Sequence, residues 1–313
     1  MENSSFIKSL DLLLDESKQY SAIMESTYYI QEGNIADYIR NIDFKKIFKF
    51  IFQKFIDILG ALWDRFRAAY HNFTNKSALL KRYKKKLENI NWDVNYPENR
   101  NVYANLNNST NINLYNMSLN EEYRLLMDNL EDISRCKDTG SLHTVILSIK
   151  DKMIPLDTYL DNKRGAALGT YNGISKEEFA QNVISYFKPN HFIPSGIIHP
   201  SEIKQMTNEY FSSKSIEKTI TREQSSLSEA AKSTNDKINR INLDKYVPDK
   251  IINPDIATVF SNIIKEYCNR VQGICNIYIQ LFSIKLDIFK MYKEEQVKIL
   301  SKIILQSIKE GKM

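Results

Sequence analysis

Residues 44–66, FKKIFKFIFQKFIDILGALWDRF, limit the possible folds of this chain more than any other stretch. Apolar side chains recur there every three or four residues, which is the spacing of one helix face. We predict that this face packs against other helices and consists of Phe44, Phe48, Ile51, Phe55, Leu59, Leu62 and Phe66. Charged residues interrupt every window long enough to span a bilayer, so a spanning helix is not expected.

The composition agrees with a helical fold. The chain has 313 residues but only 9 Gly and 7 Pro, while Leu, Ile, Lys and Glu are abundant. These residues favour helices over a turn-rich β fold. We therefore predict a mainly α protein, an elongated helical bundle with a long N-terminal amphipathic helix, a long C-terminal helix, and a minor irregular or β segment in the middle.

Charge is distributed unevenly along the chain. Residues 1–34 contain six acidic and two basic residues, whereas residues 35–90 contain thirteen basic and five acidic residues. A local excess of lysine suggests contact with an anionic partner, either non-specific DNA or an anionic membrane, although a solvated helix face gives the same pattern. The predicted contact residues are Lys45, Lys46, Lys49, Lys54, Lys81, Arg82, Lys84, Lys85 and Lys86.

Breaks in the pattern divide the chain into four segments. Gly33-Asn34 precedes the basic region, an Asn-rich stretch containing Pro97 follows it, and Ser118 to Glu121 form a capping box that predicts a helix start. The predicted segments are an N-terminal leader at 1–34, a basic amphipathic helical segment at 35–90, a linker at 91–117, and a helical domain at 118–313.

The last segment contains patterns of different strength. HTVILSI, residues 143–149, fits a strand or a buried helix. Ser175 to Glu178 form a second capping box, which opens a helix through Phe187, and a loop is expected at 189–201. Residues 212–237 are polar nearly throughout, which indicates an exposed or partner-dependent helix.

A very long helix is predicted near the C-terminus. Asn253-Pro254 provides a cap and a proline at the first helical position, and the apolar pattern continues to Ile308. A helix of this length is typical of a bundle spine or a coiled-coil partner, and it favours a homo-oligomer.

No motif in the chain predicts catalysis. Asp138-Thr-Gly140 matches the aspartic-protease tripeptide but follows charged residues, where a turn is the simpler interpretation. His191 and His199 lack the further ligands that a metal site needs. Cys268 and Cys275 lie one heptad apart in the apolar pattern, as buried core thiols do. We therefore expect no enzyme activity, no cofactor and no metal.

Two stretches carry a family resemblance: NKSALLKRYKKKLENI, and later DTYLDNKRGAALGTYNGISKEEFAQNVISYF. They resemble uncharacterised virion structural proteins of tailed bacteriophages, internal to the head or associated with it. The matching positions are Tyr83 to Leu87, Arg164-Gly165, Ser175, Phe179 and Tyr186-Phe187. Where those proteins often continue with an Arg-rich turn, this chain has Lys188-Pro189-Asn190.

The resemblance implies a structural component of a phage particle that is made in the host bacterial cytoplasm and binds other virion proteins. Its basic face would then meet DNA, the capsid or a membrane. The alternative hypothesis is a membrane-active protein, a toxin or an ejection pore component, that uses the amphipathic helix at 44–66.

Overall fold

The protein is mainly α-helical, as predicted. The computed structural model describes residues 44–76, 78–102, 112–136, 139–187, 191–211, 214–242, 245–246 and 255–313. The helices in these ranges are α1 Phe44–Lys76, α2 Ala78–Glu88, α3 Ile112–Ser134, α4 Thr139–Lys152, α5 Leu156–Ala167, α6 Lys176–Phe187, α7 Pro200–Phe211, α8 Lys214–Asn239 and α9 Asp255–Lys309.

Four short strands accompany the helices within the described ranges. They are β1 Val94–Tyr96, β2 Arg100–Val102, β3 His191–Ile193 and β4 Gly196–Ile198. β1 pairs with β4 and β2 pairs with β3, both in antiparallel register, with Val94 opposite Ile198 and Arg100 opposite Ile193. Each strand has three residues, and the two pairs form two separate two-stranded sheets.

Four long helices build the larger of two hydrophobic cores, which we call the main core. α1 and α3 each pack against both α8 and α9, and α5 and α6 pack on the outside of α9. Aromatic rings fill the contacts: Phe48 meets Tyr267 with ring centroids 5.0 Å apart, and Phe66 meets Phe289 at 5.5 Å. Aromatic pairs at such distances add to the stability gained from burial.

A buried ion pair crosses the main core. Lys285 of α9 donates from Nζ to Glu223 Oε2 of α8 at 2.5 Å, and both side chains are below 5 % exposed. The Lys285 ammonium also lies 5.9 Å from the Phe187 ring centroid. Because each charge is desolvated, the pair fixes how α8 and α9 face each other more than it adds net stability.

The polar helix predicted at 212–237 has its partners inside the chain. α8 buries Ile220, Glu223, Leu227, Ala231, Thr234 and Ile238. These positions recur every three or four residues, which is one helix face. Two of them are polar, and for that reason the stripe does not stand out in the sequence.

A smaller group of buried side chains forms a second core at the far end of α9. Its members come from α2 and the turn after it, the strands, α7 and the last turns of α9: Leu80, Leu87, Ile90, Val94, Tyr96, Ile198, Ile203, Tyr210, Ile299, Leu300, Ile303 and Ile304. α9 therefore contributes to both cores and is the spine that the apolar pattern predicted.

The described parts of the Asn-rich stretch 91–117, residues 91–102 and 112–117, contain β1, β2 and the first residues of α3. Val94 and Tyr96 are buried in the second core, and α3 begins at Ile112, upstream of the Ser118 capping box. Ser118 itself is buried within α3, so the start predicted there was wrong. The expected loop at 189–201 likewise contains β3, β4 and the start of α7.

Other local predictions hold. HTVILSI, left open between strand and helix, lies in α4. The Ser175 capping box opens α6, since the Glu178 amide donates to Ser175 Oγ at 3.3 Å and the Ser175 amide donates to Glu178 Oε2 at 3.4 Å. α6 ends at Phe187 and α9 reaches Lys309. The leader at 1–34, Asp138 and Asn253-Pro254 lie outside the described residues.

Candidate interaction surface

α1 presents opposite faces to the protein and to solvent. Of the seven apolar positions predicted to pack, six are buried and Ile51 is half-buried against the main core. The stacked rings of Phe55 and Tyr115, 5.3 Å apart between centroids, bring α1 onto α3. The wide apolar face is therefore occupied by the protein's own helices.

The lysines of α1 lie around the rim of that buried face. Lys46 and Lys49 are exposed, whereas Lys45 and Lys54 are half-buried. The Lys54 ammonium lies 5.6 Å from the centroid of the Phe50 ring, so its aliphatic stem covers apolar surface. Of the four predicted contact residues on α1, two are therefore exposed and two are half-buried.

α2 concentrates positive charge over eleven residues, ALLKRYKKKLE, with five basic residues and one acidic residue. Lys81, Arg82, Lys85 and Lys86 are exposed, and Lys84 is half-buried. Leu80 and Leu87 on the opposite face are fully buried in the second core, where α2 packs against α7 and α9. The fold thus holds this helix with its basic side outward.

Aromatic rings support several of the basic side chains. Arg82 and Lys86 lie 5.7 and 5.6 Å from the centroid of the Tyr83 ring, and Lys84 lies 4.9 Å from that of Phe211. Lys84 also pairs with Glu88 at 3.6 Å. We name the exposed set Lys81, Arg82, Lys85 and Lys86 the basic surface, and Lys84 is a structural contact beside it.

The two histidines considered as metal ligands lie at strands, His191 in β3 and His199 directly after β4. His199 Nδ1 lies 3.0 Å from Asp93 Oδ1 beside β4, and the structure describes His191 only as a residue of β3. Within the described ranges, His, Cys, Asp and Glu side chains form no group of three or more that could hold a metal ion.

The cysteines are buried free thiols in the main core. Burial raises the pKa of the Cys275 thiol to about 12 and also raises that of Cys268. Cys275 Sγ lies 3.6 Å from the Tyr115 hydroxyl. Since the thiolate is the reactive form, these cysteines are poor nucleophiles at neutral pH.

Gly165 and Gly169 are spaced as a G-x-x-x-G motif and lie at the turn that ends α5. A Cβ at Gly165 would lie 2.1 Å from the Asn172 carbonyl oxygen, and Gly169 has a φ of +75°, which favours glycine. The Thr170 hydroxyl donates to the Gly165 carbonyl at 2.9 Å. The motif therefore shapes the connection between α5 and α6.

Among the described helices, none combines the length and apolar character that crossing a membrane requires. Comparisons with protein-family models, with curated proteins and with solved structures find no match.

Proposed function

We propose that this protein is a non-enzymatic structural component of a bacteriophage particle, which assembles through its helices and turns a basic surface toward DNA. The observation that carries the proposal is the arrangement of α2. Its apolar side is fully used by the second core, so that Lys81, Arg82, Lys85 and Lys86 remain on the outside of a fixed helix. The phage particle rests on the resemblance of two stretches to virion structural proteins.

The chemistry of the basic surface suits a sequence-independent polyanion. Lysine and arginine side chains along one helix side neutralise phosphates and release counterions, which gives affinity without base readout. Tyr83 is the one aromatic residue within the cluster, and it already lies against Arg82 and Lys86. Stacking on bases therefore has little support, and duplex DNA is a better partner than unpaired bases.

The membrane-active alternative has weaker support. It requires the apolar face of α1 to enter the headgroup boundary. That face is buried against α8 and α9, and Phe55 stacks on Tyr115 of α3, so insertion would require α1 to leave the main core. Flotation with anionic vesicles distinguishes the two proposals. Strong flotation of the folded protein would favour the membrane hypothesis.

Salt dependence tests DNA contact. We expect the full chain to bind a random-sequence duplex with an affinity that falls steeply as salt rises, measured by fluorescence anisotropy. Arg82→Gln with Lys85→Gln should reduce the slope of log K against log salt by about 2 if both residues contact phosphate, since each phosphate contact contributes about 0.9.

The matched control replaces two exposed lysines elsewhere, Lys218→Gln with Lys232→Gln on α8. It removes the same net charge, so an equal change in both double variants would mean that overall charge, not the basic surface, determines binding. A salt-independent affinity, or no binding to DNA, would contradict DNA contact. Absence of the protein from washed particles would contradict the structural role.

A further inference from the structure

A cleft of about 330 Å³ opens between the β2–β3 ribbon and the helix pair α7 and α9. This volume is within the range of small-molecule sites in proteins. The walls combine apolar and charged side chains from four elements: Arg100, Asn101, Val102, Ile193, Glu202, Gln205, Met206, Glu209, Tyr292, Glu295, Gln296 and Ile299. The cleft lies beside the second core and does not include the basic surface of α2.

Arg100 supplies the positive charge of this cleft. Its side chain is only 8 % exposed, and Nη1 donates to Glu202 Oε2 at 2.9 Å. Among the described residues, Glu202 is the one hydrogen-bond or ion-pair partner of the guanidinium. Because a guanidinium presents five donors in a planar fork, Arg100 retains donors that can bind a carboxylate in the cleft.

The carboxylates of the opposite wall differ in whether their oxygens are free to bind a ligand. The Glu209 carboxylate accepts hydrogen bonds from Gln205 Nε2 at 2.9 Å, Tyr292 Oη at 2.6 Å and Gln296 Nε2 at 3.2 Å. Its oxygens are therefore already used to hold α7 against α9, and Glu209 serves to shape the wall.

Glu295 is the available carboxylate. It lines the cleft and is half-buried, and its carboxylate makes no hydrogen bond or ion pair with any described residue. Lys298 lies one turn further along α9, and the Glu295 charge contributes to raising its pKa. The Lys298 ammonium, however, forms an ion pair with Glu98 Oε2 at 2.7 Å. Glu295 can therefore accept an ammonium group from a ligand.

We propose that this cleft binds a small zwitterion of the amino-acid class, with its carboxylate on Arg100 and its ammonium on Glu295. Val102, Ile193, Met206 and Ile299 supply apolar surface in the same cleft, which suits an aliphatic side chain attached to the carbon that carries both charges. Since each ligand charge meets one opposite charge, a zwitterion binds more tightly than a molecule carrying either charge alone. The proposal is independent of DNA contact by the basic surface.

Three related molecules test the charge requirement with the full chain in isothermal titration calorimetry. The probes are L-leucine, 3-methylbutylamine, which lacks the carboxylate, and 4-methylpentanoate, which lacks the ammonium. We expect L-leucine to bind about tenfold or more tightly than either analogue, a difference of about 1.4 kcal/mol. No binding of L-leucine at millimolar concentration, or equal binding of all three probes, would overturn the proposal.

Two substitutions then assign the charges. Glu295→Gln should weaken L-leucine binding at least about tenfold and leave the weak binding of 4-methylpentanoate unchanged. Arg100→Gln should weaken both L-leucine and 4-methylpentanoate but not 3-methylbutylamine. The control is Glu294→Gln, which removes the neighbouring exposed carboxylate of α9. If Arg100→Gln disrupts folding in circular dichroism, Glu295→Gln against Glu294→Gln still decides, and equal effects of those two would overturn the proposal.

Discussion

The main core and the second core share the long helix α9 but are built from different kinds of elements. The main core is built by α1, α3 and α8 around most of α9, and aromatic rings dominate its contacts. The second core joins α2, α7 and strands of three residues to the last turns of α9. The first consists of long periodic helices, whereas the second brings short segments together and carries both the basic surface and the cleft.

The two cores also bury different polar groups. The main core contains the Lys285–Glu223 pair and the carboxyl of Glu122, whose Oε2 has no hydrogen-bond partner among the described residues. The second core contains Lys293, which is 1 % exposed and donates to the Glu209 carbonyl and Gln296 Oε1. We therefore expect the stability of each core to depend on pH over a different range.

The largest effect is expected for the buried pair of the main core. Lys285→Met leaves the Glu223 carboxylate desolvated without its cation, which should lower the free energy of unfolding by about 3–5 kcal/mol. Urea denaturation followed by circular dichroism measures the loss. The double variant Lys285→Met with Glu223→Leu should recover most of it, because a buried pair contributes little net stability over apolar residues. A single variant within about 1 kcal/mol of the parent would show that the pair is not desolvated.

A somewhat smaller effect is expected for Lys293 in the second core. Burial lowers the pKa of its ammonium from 10.5 to about 8. Between these values the unfolded chain binds more protons than the folded one, so the stability contributed by Lys293 rises with pH from about 8 to 10.5 and is lost as pH falls through 8. The change amounts to about 3 kcal/mol if the full shift is realised.

The variant Lys293→Met isolates this contribution. The difference in unfolding free energy between parent and variant should grow in favour of the parent across that alkaline range, in urea titrations at several pH values. Lys290→Met, an exposed lysine on the same helix, is the control and should show no such trend. A constant difference for Lys293→Met would mean that Lys293 keeps an ordinary pKa in the folded protein.

The main core could be predicted from sequence to a large extent, while the second core could not. The stripe from Phe44 to Phe66 and the long pattern ending at Ile308 have the helical period, and periodicity identifies the buried face of a helix that is long enough to repeat it. The buried face of α8 was not predicted, because the polar residues Glu223 and Thr234 interrupt its apolar stripe. A search for apolar periodicity does not detect polar residues that are buried through contacts in the core.

The positions of the basic surface and the cleft could likewise not be predicted in full from the sequence. The clustered charges of α2 are visible in the sequence, but only the burial of Leu80 and Leu87 tells which side faces outward. Arg100 of β2 and Glu202 of α7 lie 102 residues apart, and β2 is too short to show a period. Tertiary contact alone brings them together, so no spacing along the chain could have predicted the cleft.

The smallest effect is expected for Glu122, and its sign is opposite to that of Lys293. Burial between α3, α5 and α9 raises the pKa of the Glu122 carboxyl above 4.5, although Tyr159, Arg270 and Lys163 act against the shift and Glu121 adds to it. A raised pKa means stability that is complete below 4.5 and is lost as pH rises through the folded value. In urea titrations, the unfolding free energy of Glu122→Gln should therefore increase relative to that of the parent as pH rises from acidic to neutral. The variant Asp128→Asn, at an exposed position, should show no such increase. If Glu122→Gln tracks the parent throughout, the main core holds an ionised carboxylate, and the contrast between the cores rests on Lys293 alone.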